Sequence, residues 1–191
     1  MVFDALDLLR RLHRVMTITA LSTATEPARN KSRILWVACG AHALHDGFTD
    51  TLYVLLPLWQ AQFALSYAAI GILRTLYAGV MAGFQVPVTG AAQRIGGART
   101  LAAGTAAAAG AYLLLSATSS VAMLAIVLLL GGLGSSTQHP IASSLVGAAY
   151  DGPRSRGALG TYNFAGDLGK MALPALTASL IAGTSWCSGH R

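Results

Sequence analysis

Residues 100–150 read TLAAGTAAAAGAYLLLSATSSVAMLAIVLLLGGLGSSTQHPIASSLVGAAY. These 51 residues contain no Asp, Glu, Lys or Arg. A helix needs about 20 apolar residues to cross the hydrocarbon core of a bilayer, so the stretch is long enough for two crossings. Runs such as Ala106–Ala109 and Val127–Leu130 do not alternate, as membrane strands would. The stretch therefore predicts two transmembrane helices.

The composition of the whole chain agrees with a membrane protein. Of its 191 residues, 54% are hydrophobic and only 10% are charged, and the mean hydropathy is +0.56. A soluble domain has about 25% charged residues, and a disordered chain is poor in apolar ones, so both classes are excluded. Two cysteines, Cys39 and Cys187, are too few for a disulfide framework. We predict an all-α integral membrane protein.

The pattern predicts about five transmembrane helices joined by short connections. A cytoplasmic N-terminal segment occupies residues 1–33, the transmembrane bundle residues 34–183, and a C-terminal tail residues 184–191. The predicted spans lie at about residues 34–58, 68–89, 100–117, 121–148 and 157–183, and Pro140 should kink the fourth.

The basic residues predict the orientation of the bundle. Ten Lys and Arg residues lie in the N-terminal segment and in the loops after spans 2 and 4, whereas the other two loops hold none. Cytoplasmic loops carry such an excess, so the N-terminus is expected in the cytoplasm and the protein in the cell membrane, a bacterial inner membrane. The net charge of +6 is thereby explained by cytoplasmic loops; the lipid bilayer is an expected partner, and no nucleic acid is.

Several ionisable residues fall inside the predicted spans, where each costs at least about 2.5 kcal/mol at the bilayer centre. On span 1 they share one stripe, and on span 5 they lie within one narrow arc. Such residues usually mark an ion or substrate pathway. The candidates are His42, His45, Asp46 and Asp50 on span 1, Arg74 on span 2, His139 on span 4, and Asn163, Asp167 and Lys170 on span 5.

Structural interpretations compete with these functional ones. Asp50 and Arg74 have similar depths and could form a structural ion pair. Asp46 lies about 18 Å deep at 1.5 Å per residue, near the midplane, which favours a pathway role together with Asp167 and Lys170. The stripe on span 1 is expected to find too few partners within the chain for full burial.

Two other interpretations concern span 4 and metal binding. The small residues around His139 favour helix packing over a cavity. A metal site at His42 and His45 is disfavoured, because their spacing is not that of an i, i+4 histidine pair. No metal and no cofactor are predicted.

The segment Gly90–Arg99, GAAQRIGGAR, resembles the cytoplasmic loop motif of the major facilitator superfamily, roughly G-x-x-x-D-R-x-G-x-R-R. Arg94, Gly96 and Arg99 match this motif, and Gln93 stands where the family has Asp or Glu. The resemblance implies that these four residues form a gating loop, a tight turn whose cations pair with helix ends.

Other stretches resemble the fosmidomycin-resistance subfamily of exporters, over about residues 34–183. They are HALHDGFTD (residues 42–50), LSY (65–67), QVP (85–87), GLGSSTQHP (132–140) and RSRG (154–157). In span 5, Asp167-Leu-Gly169-Lys170 replaces the Asn-x-Gly run of the subfamily. The family has twelve spans in two halves, so this chain is similar to an N-terminal half that lacks its sixth helix.

The resemblance implies a proton-coupled secondary transporter that exports small drug-like or metabolite molecules, present as an incomplete half. Its expected partners are protons, a small-molecule substrate, and a second half-transporter chain or further copies of itself. The alternatives are a non-transporting membrane fragment or assembly partner and, less favoured, an intramembrane enzyme. The histidine and serine residues of span 4 lack the G-x-S-x-G elbow of a hydrolase, so no enzyme activity is predicted.

Overall fold

The computed structural model describes the backbone of residues 5–188 and the side chains of residues 30–183. Within these residues the chain is helical and contains no strand, which confirms the predicted all-α class. Ser66 and Ser120 cap the second and fifth helices by accepting hydrogen bonds from the backbone N–H groups of Ala69 and Met123. The helices are α1 Ala5–Phe63, α2 Tyr67–Gly83, α3 Gln85–Ile95, α4 Gly97–Leu115, α5 Val121–Ser135, α6 Ser143–Ala149 and α7 Pro153–Ser188, with a π-helical turn at Gln138–Ala142.

Length and composition single out the stretches that can cross a membrane. Gly97–Leu115 and Val121–Ala149 qualify by themselves, and α2 with α3 would make a third span that bends by 40°. The helices α1 and α7 carry most of the ionisable residues of the predicted pathway, and their crossing of the membrane stays a prediction. The side chains of residues 1–29 and 184–191 are outside the described part of the chain. The predictions for the N-terminal segment and the C-terminal tail that concern these side chains are therefore not tested.

Two breaks in the helices depart from the predicted boundaries, and a third lies at the predicted position, Pro140. Span 2 was expected to run unbroken to residue 89, but the chain bends at Phe84 and continues as α3 to Ile95. The expected loop at residues 90–99 is helical on both sides of Gly96, whose φ of 96° favours glycine. Pro140 lies in the π-helical turn between α5 and α6, because proline removes one backbone donor and clashes with the preceding turn. The regular α-helix is thus interrupted at the place where the sequence predicts a kink, and the kink itself stays a prediction.

Glycines bring the helices into close contact. A Cβ atom on Gly169 of α7 would overlap the backbone carbonyl oxygen of Ala43 on α1, so the two helices touch through their backbones. On the other side of the bundle, a Cβ atom on Gly134 of α5 would lie 2.7 Å from the carbonyl oxygen of Gly104 on α4. Small residues at such crossings let membrane helices pack closely.

The buried side chains form two apolar clusters with a polar layer between them. One cluster surrounds Leu52 and Tyr77, and the other surrounds Ala142 and Tyr162. On α1, residues 42–49 lie between the residues that belong to the one cluster and those that belong to the other. On the fourth predicted span, residues 135–139 occupy the same position between the clusters. The buried polar residues of this layer are His42, Asp46, Thr49, Ser135, Ser136, Thr137 and Gln138.

Candidate functional site

The carboxylate of Asp46 is the centre of the polar layer. Its side chain is only 4% exposed, and it lies on the α1 face that packs against α7 and the π-helical turn. Three imidazole nitrogens and one ammonium group surround it. The distances to its oxygen atoms are 3.3 Å from His42 Nε2, 3.9 Å from His45 Nε2, 3.6 Å from His139 Nε2 and 3.1 Å from Lys170 Nζ. The stripe of span 1 is thus buried at His42, Asp46 and Thr49, whereas Asp50 is half-buried and Tyr53 is exposed, so the stripe as a whole is not fully buried within the chain, as expected.

His42 is held in one orientation by α7. Its ring stacks on Tyr162 with ring centroids 4.0 Å apart, and its Nδ1 atom lies 2.9 Å from the backbone carbonyl oxygen of Tyr162. A carbonyl oxygen only accepts hydrogen bonds, so Nδ1 is the protonated nitrogen. The Nε2 atom then faces the Asp46 carboxylate. The sequence analysis did not find Tyr162, because an aromatic residue near the end of a span is ordinary.

Lys170 connects two carboxylates. Its ammonium group lies 3.1 Å from Asp46 and 3.2 Å from Asp167, which is one turn earlier on the same helix. The structure thus brings Asp46, Asp167 and Lys170 together, as the sequence grouped them. Their exposures differ, since Asp167 is 67% and Lys170 43% exposed, and Asn163 is also exposed. The polar face of α7 therefore runs from the buried carboxylate to the outside of the bundle.

The expected ion pair between Asp50 and Arg74 is not formed among the described side chains. The guanidinium carbon of Arg74 instead lies 4.5 Å from the ring centroid of Tyr53 and 5.6 Å from that of Tyr77. Equal depth on two helices does not fix which way their side chains point, and here the aromatic faces attract the cation. Asp50 is half-buried and outside the ion-pair cluster of Asp46.

A hydroxyl network links α1, α2, α4 and α5 beside the cluster. The hydroxyl group of Tyr77, which is fully buried, lies 2.8 Å from that of Tyr112, 2.9 Å from Ser135 Oγ and 3.0 Å from Thr49 Oγ1. Apart from the small-residue stripe of span 4, no sequence pattern indicated this network. The predicted packing role of that stripe holds, since a Cβ atom on Gly132 would meet the backbone of Tyr77.

Two glycines of α7 shape the cluster. A Cβ atom on Gly166 would lie 2.8 Å from the Asp46 carboxylate and 2.7 Å from the His42 ring, and Gly169 allows the backbone contact described above. The sequence analysis missed both residues as parts of the site. Their i, i+3 spacing, with Tyr162 one turn before, was the signal that could have identified this face.

The predicted gating loop forms the junction between α3 and α4. Gly96 ends one helix and begins the next, and its N–H donates to the carbonyl oxygen of Ala92. Gln93, Arg94 and Arg99 are exposed, and no ion pair within the described part of the chain involves either arginine. The tight turn is present as expected, and the pairing of its cations with helix ends stays a prediction.

These features define a class of protein. The chain is a bundle of apolar helices whose interior contains an ionic centre, and ionisable residues inside such bundles often mark ion or solute pathways. The family model of the Major Facilitator Superfamily matches residues 38–188. The chain belongs to this superfamily of membrane transporters. No curated protein and no solved structure matches it.

Proposed function

We propose that the chain is one half of a proton-coupled exporter of small drug-like or metabolite molecules in the cell membrane. The observation that carries the proposal is the buried carboxylate of Asp46, which contacts Lys170 and three imidazole rings at the crossing of α1 and α7. Membership in the superfamily supports transport over catalysis. The motif order at residues 42–50, 132–140 and 154–157 supports the fosmidomycin-resistance subfamily and hence export.

The coupling step would be an exchange of partners by Lys170. With Asp46 ionised, the ammonium group bridges Asp46 and Asp167. A proton on Asp46 would remove that attraction and leave Lys170 paired with Asp167 alone, which lies at the outer surface of the bundle. Groups facing Asp46 from every packed element take part: His42 and His45 on α1, His139 on the π-helical turn, and Lys170 on α7. The exchange would change the charge presented to an opposing bundle and so bias its rocking.

The exposed polar face of α7 supports a second half. Asn163, Asp167 and Lys170 are exposed on a helix that belongs to a membrane protein, where polar groups avoid lipid. Another bundle, from a separate chain or a further copy, would cover them. The ion pair between Lys31 and Asp151, 3.2 Å apart, joins two segments that the positive-inside rule assigns to the cytoplasm, which supports a cytoplasmic N-terminus.

Inverted membrane vesicles in which the chain is assembled with a second half, either a separate chain or a further copy, would test the proposal. A pH-sensitive dye should report proton release when a transported compound is added, and Asp46→Asn should abolish that signal. Asp50→Asn is the matched control, one turn away and outside the cluster. An unchanged signal in Asp46→Asn would contradict the role of this carboxylate.

A further inference from the structure

We propose that His42, Asp46 and His139, with His45 at their edge, bind a divalent transition-metal ion of the Zn²⁺ class. The ligand atoms of the first three residues all lie within 4.8 Å of one another. Imidazole nitrogens with one carboxylate are a ligand set that suits Zn²⁺, Co²⁺ and Ni²⁺ rather than Mg²⁺ or Ca²⁺. The proposal is independent of the transport proposal, because it concerns binding to the chain itself.

The distances from the imidazole nitrogens to the Asp46 carboxylate are close to the ligand spacing around a tetrahedral ion. Bonds of about 2.0–2.1 Å place neighbouring ligands of a tetrahedral Zn²⁺ about 3.3 Å apart. The imidazole nitrogens of His42, His139 and His45 lie 3.3, 3.6 and 3.9 Å from the carboxylate oxygens of Asp46. The rings of His42 and His45 each meet the His139 ring edge-on, with centroids 5.2 Å apart. The ligand atoms of His42, Asp46 and His139 would have to move from within 4.8 Å of one another to about 3.3 Å to bind one ion, and His45 lies at the edge of this group.

The hydrogen bonding of His42 points to a cation. Its Nδ1–H donates to the backbone carbonyl of Tyr162, so a neutral His42 directs the lone pair of Nε2 at the Asp46 carboxylate. Both Nε2 atoms, of His42 and of His45, are buried and have no hydrogen-bond partner. A carbonyl that accepts from the outer nitrogen is also the usual outer-shell support of a metal-bound histidine. A metal ion would satisfy the two lone pairs and the carboxylate together.

His42 and His45 are three residues apart, and this spacing by itself disfavours a metal site. The structure supplies the missing ligand through the π-helical turn, which directs His139 of a different segment at Asp46. A cavity also reaches the edge of the site at His45. A cavity of about 370 Å³ between α1, α4 and α5 is lined by His45 and Gln138, and the side chain of His139 is 42% exposed.

Lys170 would compete with the metal. Its ammonium group lies 3.1 Å from the carboxylate oxygen that faces His42. The lysine side chain is partly exposed and already contacts Asp167, so it can leave Asp46 without losing all of its counter-charge. Removing the ammonium group should therefore strengthen metal binding. A site on exposed carboxylates elsewhere would not respond in this way.

The test uses the full chain in detergent micelles without a polyhistidine tag and with His13 and His190 replaced by glutamine. Titration with Co²⁺ should give the visible absorption of a tetrahedral complex at one ion per chain, and Zn²⁺ but not Mg²⁺ should displace it. His139→Gln should weaken binding by more than about 100-fold, because even the outer-shell partners of metal ligands contribute about 10- to 100-fold. Lys170→Gln should strengthen it by at least about tenfold, since it removes a cation beside the site.

Asp50→Asn is the matched control and should bind Co²⁺ as the parent does. The proposal is overturned if the parent shows no saturable tetrahedral spectrum, or if His139→Gln binds as tightly as the parent. Displacement by Mg²⁺ at similar concentration would also overturn it, since a hard cation does not prefer imidazole. If His139→Gln does not fold, Lys170→Gln decides, and unchanged affinity in that variant contradicts the proposal.

Discussion

Replacing Gly169 by alanine should separate α1 from α7 and disrupt the site. The added Cβ atom would overlap the carbonyl oxygen of Ala43, a backbone atom that cannot rotate away. Overpacking by one methyl group costs about 1–3 kcal/mol where side chains can yield, so a clash with backbone should cost about 3 kcal/mol or more. Alanine recovers about 1 kcal/mol of helix propensity, which leaves a net loss of at least about 2 kcal/mol.

Gly160 is the matched control for this substitution. It lies on the same helix, and a Cβ atom there would meet nothing within 4 Å. Gly160→Ala should therefore be neutral or more stable by up to about 1 kcal/mol. The two variants should differ by about 3 kcal/mol, a factor of about 100 in the unfolding equilibrium constant. Unfolding in mixed micelles by increasing SDS, followed by circular dichroism, measures this difference. Equal stability of the two variants would refute the backbone contact between α1 and α7.

Three further predictions concern charge, topology and assembly. In a transport-competent membrane, Asp46→Asn should abolish pH-dependent transport and leave membrane insertion intact, because Lys170 keeps Asp167 as its partner; retained pH dependence would move the role to Asp167. In a chain with Cys39 and Cys187 replaced by alanine, a cysteine at position 119 should react with an impermeant thiol reagent from outside, and one at position 155 should not; the reverse would contradict the cytoplasmic N-terminus. The purified chain, reconstituted as a strict monomer in liposomes, should show no proton-driven flux, since a site between two repeats needs both; saturable flux would show that this bundle encloses a complete pathway.

The sequence predicted the fold class and much of the charged centre. A long stretch without charged residues indicates membrane helices. The helical periodicity places Asp46 on the polar stripe of α1, and Asp167 with Lys170 on one arc of α7. These are properties of single helices, which a repeat of 3.6 residues determines. The proximity of His139 to Asp46 was not predictable in this way, because it depends on the π-helical turn around Pro140.

Relations between helices account for what the sequence analysis missed. Asp50 and Arg74 share a depth but differ in rotation about their helix axes, and the sequence contains no direct measure of rotation. Gly166 and Gly169 have no side chains whose chemistry would draw attention to them. Their importance becomes evident only when α1 is placed against them, because the space that a Cβ atom would fill is occupied by His42, Asp46 and the backbone of Ala43.

The charge balance of the site connects the two proposals. Asp46 and Asp167 share the single ammonium group of Lys170, so the three side chains together carry one net negative charge when both carboxylates are ionised. An unbalanced charge is costly in a low-dielectric interior, and Asp46 is the buried member of the group. The surrounding imidazole rings allow that charge to be balanced by a proton or by a metal ion at the same carboxylate. Either cation would weaken the contact of Lys170 with Asp46 and leave it paired with Asp167 on the exposed face of α7. The charge on that face would then depend on whether a cation occupies the buried site, and a second bundle packed against the face would be affected by the change.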